Sequence, residues 1–140
     1  MNLLRYLLGR TNKFTALEWE IANSVRSKLI GQDQLEKWDK QINLINKIQR
    51  LPSGLEINFY PMSKGKPAFD PEIAFQDKSD EFHLATVDIV SQSAEKFKLR
   101  ARVWCVRGFF FMYSFSASKD VFEKQSKGHW RLNCRIENKL

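Results

Sequence analysis

Residues 99–115, LRARVWCVRGFFFMYSF, carry two runs of alternating side chains around an Arg107-Gly108 pair. Successive side chains of a strand point to opposite faces. Leu99, Ala101, Val103 and Cys105 therefore share one face of the first run, and Arg100, Arg102, Trp104 and Val106 share the other. Arg107-Gly108 reads as the turn, with Gly108 able to adopt positive φ. Continued alternation puts Phe109, Phe111, Tyr113 and Phe115 on one face and Phe110, Met112 and Ser114 on the other. Five aromatics in seven residues is core composition for a sheet covered by helices. The stretch predicts a β-hairpin at the centre of an antiparallel sheet. Its Arg100/Arg102/Trp104 face is either a solvated face, with arginine stems lying over the indole, or a binding surface.

Two helices are predicted upstream. Thr15 followed by Glu18 is a capping box, so a helix starts near Ala16. Leu17, Ile21, Val25, Lys28 and Leu29 form one stripe, with Trp19 and Ala22 beside it. Gly31 is a natural stop, and Asp33 with Glu36 repeats the start signal. Leu35, Trp38, Ile42, Ile45 and Ile48 then recur at three-to-four spacing, predicting a second helix that ends before Pro52-Ser53-Gly54. Two amphipathic helices joined by so short a link predict an antiparallel helix pair with its stripes in the core.

The remaining segments read as strands and connections. Leu55–Tyr60 alternates with Leu55, Ile57 and Phe59 inward. Residues 61–72 contain three prolines and form a loop that Phe69, Ile73 and Phe75 pin to the body. Its SKGK is no P-loop, because the earlier glycine and the hydroxyl residue after the lysine are missing. Residues 82–90, FHLATVDIV, form a strand. Residues 116–129 are polar and read as loop plus a helical turn. WRLNCRI, 130–136, is a final strand suited to an edge, with Trp130, Leu132, Cys134 and Ile136 on one side. Helices followed by strands, without βαβ alternation, predict an α+β fold: an N-terminal helix pair on one face of an antiparallel sheet of about five strands. The chain reads as one domain over 1–140, with an N-terminal segment at 1–14, the helix pair at 15–50 and the sheet at 54–140.

Charge is unevenly spread in a chain of net charge +7. Residues 1–52 hold 9 basic and 5 acidic groups, 53–95 hold 3 and 8, and 96–140 hold 11 and 3. The acidic middle and basic final third can pair across neighbouring strands or present surfaces of opposite sign to partners. Two cysteines, Cys105 and Cys134, build neither a disulfide framework nor a metal site. The opening MNLLRYLLGR, interrupted by Arg5, is too short to span a bilayer and lacks a signal-peptide cleavage pattern. Within it, residues 3–8, LLRYLL, read as one or two helical turns, either docked on the body or exposed as an apolar arm for a partner or a membrane surface. The chain is expected to be cytoplasmic, with no membrane span, and its oligomeric state stays open.

Chemistry is sparse. Glu81 and His83 share a strand face by alternation, the best acid–base pair the sequence offers. His129 reads as a solvated loop residue, and no His, Cys or carboxylate cluster has metal-ligand spacing. No cofactor is expected. The basic side is richer: Arg100 and Arg102 sit with Trp104, Arg131 and Arg135 extend that face if the last strand pairs nearby, and Lys96, Lys98, Lys119, Lys124 and Lys127 surround it. Basic groups interleaved with aromatics suit single-stranded nucleic acid, though no recognised RNA-binding signature is present.

One resemblance covers most of the chain. INKIQRLPSGLEINFYPMSKGKPAFDPEIAF, FHLATVDI and VWCVRGFFFMYSFSAS follow the pattern of a set of small bacterial proteins. That pattern has a helix pair, a strand ending in tyrosine, a Gly-Lys-Pro loop, an aliphatic strand and an aromatic hairpin. The hairpin elements here are Val106, Gly108, Phe110 or Phe111, Phe115 and Ser116. Ala117 departs from it, standing where a proline often follows nearby. The chain thereby resembles immunity proteins of polymorphic or contact-dependent toxin systems. The resemblance implies a non-enzymatic protein that binds and neutralises a cognate toxin domain, and it brings no catalytic residue. A basic toxin would favour contact through Asp70, Glu72, Asp77, Asp80 and Glu81. An acidic one would favour Arg100, Arg102, Arg131 and Arg135. Nucleic-acid binding through Arg100, Arg102, Trp104, Arg131 and Arg135 is the alternative.

Overall fold

The computed structural model describes residues 13–92, 97–126 and 129–140. The reading of residues 3–8 as helical turns lies outside these. Helices α1 (Ala16–Arg26) and α2 (Gln32–Leu44) are followed by strands β1 (Lys47–Arg50), β2 (Glu56–Tyr60), β3 (Met62–Ser63) and β4 (Lys66–Pro67). A 3-10 turn at Pro71–Ile73 leads to β5 (Phe82–Ser91), β6 (Lys98–Val106), β7 (Phe109–Phe115), helix α3 (Lys119–Ser126) and β8 (Trp130–Ile136). Six strands form one sheet in the order β1-β2-β7-β6-β5-β8, with every pair antiparallel. The β6–β7 hairpin sits at its centre and β8 at an edge. The fold is α+β, with the helix pair on one face.

The capping box forms as the sequence predicts. Glu18 N donates to Thr15 Oγ1 and Thr15 N to Glu18 Oε1, and α1 buries Leu17, Ile21, Ala22 and Val25. It packs on β5 and β8, while α2 packs on β7. Trp19, by contrast, is exposed. Helix α2 starts on Gly31 at φ +98°, and Asp33 pairs with Lys37 at 3.2 Å instead of capping.

The second helix stops earlier than its apolar spacing predicts. Ile45 is extended (ψ 121°) and residues 47–50 form β1, so the sheet has six strands. The Asn46 side chain brackets Met62, accepting from its N–H at 2.7 Å and donating to its carbonyl at 2.9 Å. Asn46 N donates to Tyr60 O, and Ile48 is buried opposite Phe59. Ile45 and Ile48 fit a helix by their spacing. Lys47-Ile48-Gln49 also alternates, and the ladder with β2 satisfies the backbone once Asn46 ends the helix.

The β6–β7 turn forms with Arg107 at φ +51° and Gly108 at φ +92°, the signs a two-residue hairpin turn of type I′ requires. A Cβ at Gly108 would lie 2.9 Å from Phe75 O. Gly108→Ala is therefore expected to cost about 2 kcal/mol, combining left-handed strain with that clash. Urea denaturation measures it, and an unchanged midpoint would contradict this account of the turn.

Beyond the turn the alternation changes phase. Trp104 faces Met112 but Cys105 faces Phe110, so Phe111 is an extra, bulged residue. Phe110, not Phe109 or Phe111, enters the core, within 5.1 Å of Trp38 and 4.9 Å of Phe59 between ring centroids. A second irregularity falls between His83 and Ala85, so Leu84 and Ala85 are both fully buried. Leu55 precedes β2 and is exposed. Ile73 and Phe75 pin the proline-rich loop as expected, whereas Phe69 is exposed and rests on Phe109. SKGK becomes the tight turn of the β3–β4 ribbon.

Candidate functional site

The sheet face away from the helices carries the candidate residues, and strand register arranges them in rows. Ser114, Arg102, Thr86 and Arg135 lie side by side across β7, β6, β5 and β8. Arg100, Asp88 and Asn133 form the next row, and Lys98, Val90 and Arg131 the one after. The predicted face of Arg100, Arg102, Trp104, Arg131 and Arg135 is thus brought together, with β5 between the two arginine pairs.

Asp88 holds the centre. Its Oδ1 accepts from Arg100 Nε at 2.8 Å and its Oδ2 from Arg135 Nη1 at 3.1 Å. The Arg100 hydrogen bond, with Arg135 beside it, keeps the Asp88 carboxyl below the usual aspartate range. Arg135 Nε also donates to Glu137 Oε1 at 2.8 Å. Among the described residues, no carboxylate pairs with Arg102 or Arg131, and both are exposed. Asp88–Arg100 and Asp88–Arg135 are pairings of the acidic middle with the basic final third across neighbouring strands.

Beside the arginines runs an apolar strip. His83 stacks on Trp104 with ring centroids 4.7 Å apart, and Trp104 Nε1 donates to Ser114 Oγ at 3.0 Å. Phe111 meets Tyr60 edge-on at 5.2 Å, and Lys47 Nζ lies 5.6 Å above the Tyr60 ring. Met112 stands opposite both Trp104 and Asn58. All these rings are half-buried. Phe111 escaped the sequence reading because the bulge that turns it outward has no local signature. Alternation did place Tyr60 and Met112 outward, but only the sheet order brings them beside Trp104. Asp88 was legible in principle, since it alternates with Thr86 and Val90.

The other candidates fall elsewhere. Asp70 caps the 3-10 turn by accepting from Glu72 N at 3.0 Å, and Glu72 is exposed. Ser79 N and Oγ both donate to Asp77, whose carboxyl they hold below its ordinary value. Asp80 pairs with Arg107 at 3.0 Å, and Glu81 is exposed. These five line a connecting segment that runs past the β6–β7 turn, to which it is tied by Phe75 N→Gly108 O and Arg107 N→Ser79 O. His83 Nε2 lies 3.1 Å from both Thr86 Oγ1 and Ala85 O, and no hydrogen bond joins it to Glu81. Strand β5 begins at Phe82, so Glu81 lies outside it and the period-two relation that would have aligned the pair does not reach it.

Lys119 does not belong to the basic face. It is buried against Glu18, and Lys96 and Lys127 lie outside the described residues. Burial pushes the thiols of both cysteines up, Cys105 far more than Cys134, which suppresses thiolate chemistry. Among the described residues no His, Cys, Asp and Glu group could hold a metal ion, and no helix is long and apolar enough to cross a membrane. Compared with protein-family models, with curated proteins and with solved structures, the chain matches none.

Proposed function

We propose that this protein is a non-enzymatic protein-binding module of the immunity type, acting in the cytoplasm to bind and neutralise a cognate toxin domain. The observation that carries the reading is the outer sheet face. Helices occupy the opposite face, and this one presents Trp104, Tyr60, Phe111 and Met112 beside four arginines. Aromatics, methionine and arginine are the residues enriched where proteins dock on one another. The sequence resemblance to immunity proteins supplies the biological setting.

A tagged pull-down from native extract at physiological salt, with and without nuclease, tests this. The expected result is one stoichiometric protein that survives nuclease and whose toxicity in cells is suppressed by co-expression. The basic-aromatic composition of the same face favours nucleic acid as the second reading. Recovery of RNA or DNA, with proteins lost after nuclease and affinity falling steeply with salt, would establish that reading instead.

A further inference from the structure

Resting on that reading, we infer that the outer sheet face docks an acidic protein surface, with Arg102 and Arg131 taking its carboxylates and the Trp104–Met112–Phe111–Tyr60 strip packing against it to one side of the arginines. The four guanidinium groups do not stand in equal positions. Arg100 and Arg135 are held on the two oxygens of Asp88, and Arg135 also on Glu137. Arg102 shares the row of Arg135 and Arg131 lies in the row beyond that of Arg100, with no carboxylate of the described chain on either. A planar guanidinium offers two parallel N–H groups that match a carboxylate, so the free pair supplies directional donors. The pinned pair supplies fixed positive field at little further entropy cost. Four guanidinium groups against Asp88 and Glu137 leave the patch positive, and its complement is acidic.

Ring geometry decides between protein and nucleic acid. A stacked base needs an open ring face. One face of Trp104 is covered by His83 at 4.7 Å, and its indole N–H is committed to Ser114. Lys47 stands over Tyr60, and Phe111 meets that ring edge-on. The strip therefore offers side chains to pack against more than free faces to stack on.

Two fluorescent probes test the inference at low salt: a peptide of alternating glutamate and phenylalanine, and an oligouridine of equal net charge. The peptide is expected to bind more tightly than the oligouridine, and R102E/R131E to weaken it about tenfold or more. E72K/E81K, on the connecting segment, is expected to bind it no less tightly. Tighter oligouridine binding, peptide affinity unchanged in R102E/R131E, or binding of neither probe would overturn the inference. The inference can fail without the reading beneath it. A stoichiometric protein partner that binds R102E/R131E as well as the natural chain would leave protein binding standing and remove the acidic-surface assignment.

Discussion

Glu18→Gln is expected to destabilise the protein by about 3–5 kcal/mol, the usual cost of removing one partner from a buried ion pair. The carboxylate is fully buried and satisfied from three directions. Arg50 grips it with Nη2 at 2.7 Å from Oε1 and Nε at 3.0 Å from Oε2. Lys119 Nζ donates to Oε2, and Thr15 N donates to Oε1. One side chain thereby joins α1 to β1 and α3. An amide in its place leaves the Lys119 ammonium, only 3% exposed, with Glu123 at 4.0 Å as its remaining carboxylate. Lys119→Met should cost less, because Glu18 keeps the Arg50 fork and the Thr15 N–H while methionine fills the space. The double variant should then recover part of the E18Q loss. Urea denaturation of the three variants checks the order, and E18Q no worse than K119M would refute it.

The same cluster sets an acid limb. Burial alone would raise the Glu18 carboxyl, but the Arg50 hydrogen bonds and the Lys119 charge more than offset it and hold it below the ordinary glutamate value. A carboxyl depressed by folding contributes stability that is complete above its unfolded value and lost as pH falls through its folded one. Glu123, raised by burial, has the opposite sign. The Glu18 contribution is therefore read as the difference between wild type and E18Q, which should narrow as pH falls below the ordinary glutamate range.

Local chemistry was legible in the sequence, and long-range pairing was not. Thr15 and Glu18 announced a helix start because a capping box spans only four residues. That Glu18 also anchors Arg50 and Lys119, which lie 32 and 101 residues away, leaves no local trace. Alternation placed Arg100, Arg102 and Trp104 together and put Arg131 with Arg135. Only the sheet order set both groups around Asp88. The hairpin turn was readable from Arg107-Gly108, but a bulge adds one residue without changing composition, so Phe109 and Phe110 exchanged faces. Ile48 satisfied helical and strand periods equally, and the Asn46 bracket on Met62 decided between them.

Gln41 is the second position where one side chain carries a large share of tertiary order. It is buried on α2, and its amide meets three backbone groups from two other segments. Nε2 donates to Ile73 O at 2.7 Å and Gly108 O at 3.0 Å, while Oε1 accepts from Phe110 N at 2.8 Å. Gly108 O also accepts from Phe75 N, so Gln41→Ala strands chiefly Ile73 O and Phe110 N. At about 1–3 kcal/mol for each unsatisfied buried group, a loss near 3 kcal/mol is expected. Amide hydrogen exchange at Phe110 should accelerate beyond what global destabilisation accounts for. Gln41→Glu should be worse near neutral pH, since a carboxylate still accepts from Phe110 N but faces two carbonyl oxygens with no proton to give. Acidification should narrow the gap between Q41E and Q41A, because the protonated carboxyl regains one donor. Equal stability of the two variants at all pH values would mean that the helix, the loop and the hairpin are held by apolar contact alone, with Gln41 only filling space between them.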